Sequence, residues 1–344
     1  MTPTLSVLDL VPVHSDQTSA QALAATLGLA RSADELGYQR YWLAEHHNMP
    51  AVASTSPPVL ISLVAAATER IRVGSGGVML PNHAPLVIAE QFALLEAAFP
   101  GRIDLGLGRA PGTDQITAWA LRHGTGIEAD AANWFPEYVD NVIAMMSPQG
   151  VGITAGGRTH MLRATPQAVG VPAVWLLGSS DFSARLAAEK GLPYVFAHHF
   201  SGQGTAEAIA LYRDNFKASD LLDEPRTFLT VNAAVADTEQ EAAALARPQL
   251  LTMLRLRTGQ QLGPQPSVEE AAATQIAPEH QGLVDAMASR WIIADAATGR
   301  ARIEELASRF GVDEVMVNPI SAARHDDDPA TSSARIQTLR LLAG

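Results

Sequence analysis

The sequence predicts an α/β protein built as a (β/α)8 TIM barrel with insertions, and three observations lead to that prediction. Strand-like apolar runs alternate with helical segments about every 30 residues, which is typical of a parallel sheet with helical crossovers. Eight such strands can be placed along the 344 residues, and barrels of this type need about 250 residues and accept insertions. Ionisable groups directly follow strands, where parallel α/β folds bind ligands. An open doubly wound sheet is the second choice.

The first half of the chain contains four strand–helix repeats. Apolar residues at helical spacing predict the first helix, with Thr18 or Ser19 as its cap and Gly37 at its end. The predicted strands are 5–11, 41–45, 71–80 and 102–107, and the predicted helices are 20–36, 59–68, 86–99 and 130–146. A β-hairpin that turns at Gly156-Gly157 is expected over 151–162.

The second half repeats the pattern around one long interruption. The predicted strands are 173–177, 194–197, 228–235 and 313–317, and the predicted helices are 182–190, 205–218, 238–257 and 330–342. Residues 258–287, rich in Gln, Pro, Ala and Glu, predict a long loop after the seventh strand–helix unit, either a lid over the barrel or a solvated insertion. We therefore predict one domain over 1–344, with insertions at about 147–170 and 258–290.

Composition narrows the class of function. Without cysteine, disulfides, thiolate catalysis and Cys-based metal sites are excluded. A formal charge of −12 disfavours nucleic acid as a partner, because phosphate backbones require clustered Lys and Arg. No apolar run reaches the roughly 20 residues that span a bilayer, and no signal-peptide pattern begins the chain. We expect a cytoplasmic enzyme that acts on a small molecule, without a membrane partner.

The second predicted strand is apolar at its start and ends in ionisable residues. Trp42 and Leu43 suit a buried strand, whereas Glu45 and His46 follow within three residues. Ionisable groups at the end of a buried strand lose hydration and require partners. Glu45 and His46 are therefore candidate catalytic residues, and a pair of surface histidines with His47 is the plain alternative.

The third strand carries glycines in its interior. Gly76 and Gly77 follow Gly74-Ser75, and glycine in a strand usually marks a bulge or a close approach of backbone to another group. A planar ligand lying against this backbone would explain them. Close packing against a neighbouring strand would explain them as well.

An anion site is predicted after the fourth and fifth strands. Arg109 ends the fourth strand, and a guanidinium there suits phosphate or carboxylate, although a salt bridge at the barrel rim is the alternative. The fifth strand leads into a helix whose free N–H groups can bind an anion. Three hydroxyls lie in this turn, and one suffices for a cap, so a phosphorylated cofactor is favoured; they belong to Ser179, Ser180 and Ser183.

Four motifs in register resemble those of the bacterial-luciferase-like flavin monooxygenases, and the resemblance covers essentially the whole chain. It is strongest toward uncharacterised single-component members. The motifs are WLAEHH at 42–47, GSGGVMLP at 74–81, RIDLGLGR at 102–109 and LGSS at 177–180. The resemblance implies a TIM barrel that takes FMN, with the reduced form arriving as co-substrate from a separate flavin reductase.

The resemblance also assigns roles by position. It makes His46 the catalytic base, sets Glu45 beneath the flavin, and puts a non-prolyl cis peptide at Gly76-Gly77 against the flavin ring. The interval 258–287 matches the family's mobile loop. The phosphate contacts that it implies are Arg109, Ser180 and Ser183.

This chain departs from luciferase at three places. Gly108 stands where luciferase has a reactive cysteine, so chemistry resting on that thiol is absent. Ser179 replaces an acidic residue of the phosphate turn, which makes the turn less negative. The residues on the substrate side, among them His198 and His199, match too weakly to name a substrate.

The resemblance predicts a monooxygenase that uses reduced FMN and O2 to oxygenate a small organic molecule, and a homodimer with the 59–68 helix as a contact surface. Three alternatives remain open. The same barrel could transfer hydride with FMN or, less favoured, deazaflavin. It could be a non-catalytic flavin-binding partner subunit. A metal-dependent hydrolase using Glu45, His46 and His47 is the third, although adjacent residues on a strand point to opposite faces.

Overall fold

Twelve strands occur in the computed structural model, which describes residues 2–123, 131–200 and 202–344. In chain order they are β1 (Thr4–Asp9), β2 (Arg40–Leu43), β3 (Arg72–Ser75), β4 (Val78–Met79), β5 (Ile103–Gly108), β6 (Val151–Ala155), β7 (Arg158–Leu162), β8 (Ala173–Gly178), β9 (Tyr194–Phe196), β10 (Thr227–Ala236), β11 (Ile292–Asp295) and β12 (Glu314–Pro319). Eight of them, β1, β2, β3, β5, β8, β9, β10 and β12, pair in parallel, and β12 pairs with β1, so the sheet closes. The predicted (β/α)8 barrel is confirmed.

Helices surround this barrel. Those in the described residues are α1 (Ser19–Glu35), α2 (Pro57–Ala67), α3 (Pro85–Ala98), α4 (Gln115–Arg122), α5 (Phe135–Met146), α6 (Asp181–Lys190), α7 (Thr205–Asp214), α8 (Glu239–Arg257), α9 (Val268–Ala273), α10 (Pro278–Ala288), α11 (Ala296–Phe310) and α12 (Ser333–Ala343). Thr18, not Ser19, caps α1, because its hydroxyl accepts a hydrogen bond from the backbone N–H of Gln21. The hairpin β6–β7 forms as predicted.

Several predicted elements needed correction. The strand expected over 71–80 is divided into β3 and β4. The helix expected from residue 130 begins at Phe135, after a 3-10 turn at Ala131–Asn133, and residue 130 lies outside the described residues. The prediction missed α4, and it also missed β11 and α11. The strand β11 pairs with the outer edge of β10 and is not part of the closed ring.

The insertion after α8 is present, but it is not structureless. It contains α9 and α10, each of which has a local start signal. Ser267 and Glu270 form a reciprocal capping box at the start of α9. Pro278 occupies the first turn of α10, where its missing N–H is not needed. The expectation of a long loop therefore holds only for part of this interval.

Aromatic side chains fill the barrel interior. Trp42, Trp175 and Phe228 are buried, with ring centroids 5.0–5.7 Å apart in tilted and edge-on arrangements. Leu8 and Met316 complete the same cluster. The interior is thus a packed core beneath the carboxyl ends of the strands, so a ligand must bind above it.

A buried ion network closes the opposite end of the barrel. Arg40, the first residue of β2, lies between Asp104 of β5 (2.9 Å) and Glu314 of β12 (2.7 Å). Asp104 also accepts hydrogen bonds from Arg72 at 2.6 Å and from the Trp42 indole at 3.0 Å. Each buried charge therefore has partners, as burial demands.

We expect Arg40→Met to lower the free energy of unfolding by about 3–5 kcal/mol, because it leaves two buried carboxylates without their shared cation. Chemical denaturation followed by circular dichroism measures the loss. Arg324→Met is the control: its carboxylate partners lie 3.7–3.9 Å away on the half-exposed surface, so we expect a change below about 1 kcal/mol. Equal losses in the two variants would contradict the role given to Arg40.

Candidate active site

The predicted site residues lie in one sector of the barrel mouth. Glu45 and His46 follow β2, Gly76 and Gly77 join β3 to β4, and Arg109 follows β5. The serine turn follows β8, and the strands run β2–β3–β5–β8 around the barrel. The structure therefore brings the four sequence motifs together at adjacent strand ends.

Glu45 is a fully buried carboxylate with three hydrogen-bond donors. Its Oε1 accepts from His47 and His83, each at 2.8 Å from the histidine Nε2, and its Oε2 accepts from the Met79 backbone N–H at 2.9 Å. Burial alone would raise the pKa of Glu45, but these donors outweigh it and lower the pKa to about 2. Glu45 is ionised and holds β2, β4 and the following turn in one arrangement.

His46 presents a neutral imidazole to the cavity above the barrel. Its backbone N–H donates to the Ser54 carbonyl at 2.9 Å, which fixes the start of the loop. Burial lowers the pKa of His46, while the nearby Glu45 carboxylate partly opposes that effect. Its Nδ1 is buried and has no hydrogen-bond partner among the described residues. An unpaired nitrogen of this kind is available to exchange a proton with a bound molecule.

The Gly76-Gly77 peptide bond is cis, as the resemblance implied. A Cβ at Gly76 would lie 2.7 Å from Leu8 Cδ1, and a Cβ at Gly77 would lie 2.6 Å from the Gly106 carbonyl oxygen and against Leu177. Close packing against neighbouring strands therefore accounts for both glycines. Gly76 also lines the cavity, so backbone rather than side chain forms this part of its wall.

Arg109 and the start of α6 lie side by side. The Arg109 guanidinium stacks on the Phe182 ring at 3.9 Å, and no carboxylate within the described ranges pairs with it. Ser180 is at the N-cap position of α6 but makes no capping hydrogen bond with its side chain, so its hydroxyl is available to a ligand. Ser179 is exposed beside it.

Ser183 is placed differently from the other two serines. It is only 4% exposed, and its hydroxyl lies against Gly178 at the end of β8. Ser183 therefore lies on the protein side of the turn, whereas Ser179 and Ser180 lie on its exposed side.

An apolar cavity of about 140 Å³ lies above the aromatic core. His46 and Gly76 lie on one side of it. Phe200, Met253, Leu256 and Leu262 lie in its wall and come from the β9–α7 loop, from α8 and from the insertion after α8. Residues 262 and 265 of that insertion reach the cavity, so the insertion forms part of its wall, and its role as a lid stays a prediction.

Sequence reasoning missed the polar partners of the site. His83 binds Glu45 from 38 positions away. Inside the barrel, the Asn318 amide donates to Asn232 at 2.8 Å, and the Asn232 amide donates to the His199 carbonyl at 3.0 Å. An asparagine within the largely apolar strand FLTVNAAVA was the available signal. Of the two histidines after β9, His199 lines the cavity and His198 packs against Phe310 instead.

The part of the chain that the structure describes holds neither a metal-binding cluster nor a membrane-spanning helix. No group of three or more His, Cys, Asp or Glu side chains is arranged to hold a metal ion there. His47 binds Glu45 and not a shared metal site. No helix in these residues is long and apolar enough to cross a membrane.

Comparison with known proteins gives a consistent result. The family model described as Luciferase-like monooxygenase matches residues 4–314. The chain is 46% identical to the uncharacterised protein YvbT of Bacillus subtilis (strain 168), over 91% of this chain and 90% of that protein. It is 40% identical to a luciferase-like monooxygenase of Escherichia coli (strain K12), with the same coverage. The crystal structure of apo-MsnO8 superposes with a TM-score of 0.85 at 33% identity, covering 99% of this chain and 97% of that one.

Replacing Glu45 by Gln is expected to lower the free energy of unfolding by about 3 kcal/mol at pH 7, because the folded state lowers the pKa from 4.5 to about 2. A lowered pKa stabilises the fold above pH 4.5 and loses that effect as the pH falls toward 2. The difference between wild type and variant should shrink over this window in denaturant titrations.

Glu305→Gln on the exposed side of α11 serves as the control for this prediction, with an expected change within about 0.5 kcal/mol. A difference for Glu45→Gln that stays constant down to pH 2.5 would show that ionisation of Glu45 is not its source.

Proposed function

Because this chain belongs to the luciferase-like monooxygenase family and is a flavin-dependent oxidoreductase, we propose that it uses reduced FMN and O2 to oxygenate a small organic molecule. One observation carries the proposal. An apolar cavity, lined in part by backbone, lies in the same barrel sector as Arg109 and the start of α6; within the described residues its buried imidazole, the guanidinium and the helix start have no hydrogen-bonding side-chain partner. FMN has a planar ring and a phosphate, and this sector offers a surface suited to each.

The residues of the sector fit the phosphate. The first-turn N–H groups of α6 have no capping side chain, so they are free to donate to an anion. Arg109 adds a positive charge whose orientation is fixed by stacking on Phe182. Ser179 and Ser180 add hydroxyl donors, and Ser183 supports the turn from behind. We assign these groups to the FMN phosphate.

The residues after β2 and between β3 and β4 suit the flavin ring and the transfer of a proton. Gly76 and Gly77 would present backbone to the flavin ring, and the bound flavin would supply the redox chemistry. Glu45 keeps β2 and β4 in place beneath that surface. His46 is neutral near pH 7 and would accept or return a proton at its unpartnered Nδ1. Phe200, Met253 and Leu262 exclude water from the cavity.

Two partner proposals accompany this function. A separate reductase would supply the reduced flavin, as the family resemblance implies. A second copy of the chain would cover the outer face of α2 and α3, where Val59, Leu63, Val87 and Leu94 are 42–59% exposed. The helix 59–68, proposed from the sequence as a contact surface, thus forms this exposed apolar face together with α3. The organisation of residues 1–344 as one domain is also part of the proposal.

Anaerobic titration with reduced FMN, oxidised FMN and reduced deazaflavin tests the cofactor. We expect the tightest binding for reduced FMN. Incubation with reduced FMN, 18O2 and a panel of small ketones, thioethers and terpenes should then give a product that carries one labelled oxygen atom. Preference for deazaflavin, with substrate oxidised but not labelled, would instead establish a hydride-transfer enzyme. Binding without any turnover would point to a flavin-binding partner subunit.

Arg109→Ala should raise the dissociation constant of reduced FMN by roughly 10–100-fold, since a charge-assisted hydrogen bond contributes about 1.5–3 kcal/mol. Riboflavin, which lacks the phosphate, provides the control in the same fluorescence titration. Its affinity should be unaffected by the substitution. An equal loss for both flavins would place Arg109 away from the phosphate.

His46→Ala should lower the rate of product formation by about 10²–10⁴-fold, the usual contribution of proton transfer by a positioned side chain. The affinity for reduced FMN should change less than about threefold, because Gly76 and the phosphate site remain. His160→Ala on the exposed strand β7 is the matched control and should keep full activity. A fully active His46→Ala enzyme would remove His46 from the chemistry.

A further inference from the structure

The charge balance of the cavity restricts what it can bind. Among the described residues, the one permanently charged side chain in its lining is Arg335, which is 4% exposed and donates to Asp9 at 2.6 Å and to the Pro319 carbonyl at 3.0 Å. No other cation or carboxylate among the described residues faces the space. A charged ligand would lose its hydration there without gaining a counter-ion, so the cavity suits a neutral molecule.

Most polar groups in the lining already bind other protein groups. Asn318 binds Asn232, and Gln265 donates to Gln249 at 2.9 Å. The hydroxyls of Thr252 and Ser321 bind the Pro248 carbonyl and Thr338, respectively. Among the described residues, His46 and His199 keep ring nitrogens for a ligand, and the Gln249 Nε2 and Asn318 Oδ1 atoms also form no hydrogen bond with the protein.

His199 is held with one nitrogen toward the protein and the other free. Its Nδ1 is hydrogen-bonded to the Thr230 hydroxyl, which itself donates to the Phe196 carbonyl at 3.4 Å. In the tautomer that satisfies both contacts, the hydroxyl proton goes to the Phe196 carbonyl and the Thr230 oxygen accepts from Nδ1–H, which leaves the lone pair on Nε2. No described residue forms a hydrogen bond with Nε2.

We propose that His199 orients the substrate: its Nε2 accepts a hydrogen bond from the hydroxyl or N–H group of a compact, neutral, otherwise apolar molecule. This inference rests on the proposed function, because it names the substrate class of the same cavity. Burial, with smaller effects from His46 and His198, lowers the pKa of His199 to about 4, so the ring stays neutral at pH 7. The two histidines then have different roles: His46 transfers the proton, and His199 positions the substrate.

Cavity size sets an upper limit on the substrate, because Gly76, which we assign to the flavin ring, lines the same space. A volume of about 140 Å³ is close to that of apolar cavities that bind one benzene molecule, roughly 150 Å³. The apolar walls from α8 and from the insertion would contact the hydrocarbon part. A substrate carboxylate would gain no counter-ion inside the cavity, so free amino acids are not expected to bind with that group in it.

Four probes of benzene size test whether the cavity prefers a hydrogen-bond donor, an acceptor, an apolar molecule or a charged one. They are titrated calorimetrically into the flavin-free and FMN-loaded protein at pH 7.5. Phenol is a donor, pyridine only an acceptor, toluene neither, and benzoate is charged. We expect phenol to bind most tightly and benzoate least tightly. His199→Leu should raise the dissociation constant of phenol roughly three- to tenfold and leave that of toluene within about twofold. His198→Leu, which alters the neighbouring histidine outside the cavity, should change neither.

Thr230→Val provides a second variant that keeps the imidazole. It removes the acceptor for Nδ1–H, so the tautomer is no longer fixed, and phenol should lose about threefold in affinity. Circular dichroism verifies that each variant is folded. A preference for pyridine, equal binding of phenol and toluene, or tight benzoate binding would overturn the inference.

The same measurements distinguish this inference from the proposed function. If His199→Leu weakens reduced FMN more than phenol, His199 belongs to the flavin site and the inference is wrong. If the wild-type protein binds no reduced flavin but still prefers phenol through His199, the monooxygenase proposal is wrong and the ligand site stands.

Discussion

One buried carboxylate organises the mouth of this barrel. Glu45 takes hydrogen bonds from His47 beside it, from the Met79 backbone on β4 and from His83 in the turn that follows. These donors come from the loop after β2 and from the segment of β4 and its following turn, so one carboxylate joins two stretches of chain that are distant in sequence. Since an unpaired carboxylate at this depth would be strongly destabilising, the pieces are held where the charge requires them. The backbone of Gly76 and Gly77 and the ring of His46 take their positions from that arrangement.

The polar groups at the two ends of the barrel differ in whether they are paired with other protein groups. At the amino ends of the strands, Arg40, Asp104 and Glu314 satisfy one another, and the indole of Trp42 joins them from the core. At the carboxyl ends, the described residues leave hydrogen-bonding capacity unused on a guanidinium, on the start of α6 and on two imidazoles. The aromatic core separates these regions. The amino ends of the eight strands thus contribute to stability, and their carboxyl ends provide the groups that can bind a ligand.

The sequence predicted the parts of the fold whose signals are local. Seven of the eight barrel strands and their helices follow from apolar runs and from caps such as Thr18, whereas the eighth was predicted correctly in position but divides at Gly76-Gly77. The four-residue strand β11 and its helix were missed because they lie beyond an interval interpreted as a loop and outside the ring of eight. The capping box at Ser267 shows that a helix signal was present there.

Long-range pairings were beyond the reach of sequence patterns. His83 binds Glu45 across 38 positions, and Arg335 binds Asp9 across 326. The free nitrogen of His199 depends on Thr230, which lies on the neighbouring strand. The local motif suggested equal roles for Ser180 and Ser183, but the helix geometry exposes one hydroxyl and buries the other.

The insertion after α8 also has a consequence for exchange with solvent. Its Gln265 backbone donates to Val13 at 2.8 Å and accepts from Ser15 at 2.9 Å, so it is fastened to the loop after β1. Releasing these two bonds alone costs roughly 1–3 kcal/mol, which sets an upper limit of between about one molecule in 6 and one in 150 released at equilibrium. Further bonds of the insertion, such as Ser15 Oγ to Glu270 at 2.6 Å, lower that fraction. For a ligand that can reach the cavity only through that minor population, the rate of association falls by the same factor. The fastening thus acts as a kinetic filter, slowing exchange of the cavity contents without any change in the contacts that they make inside.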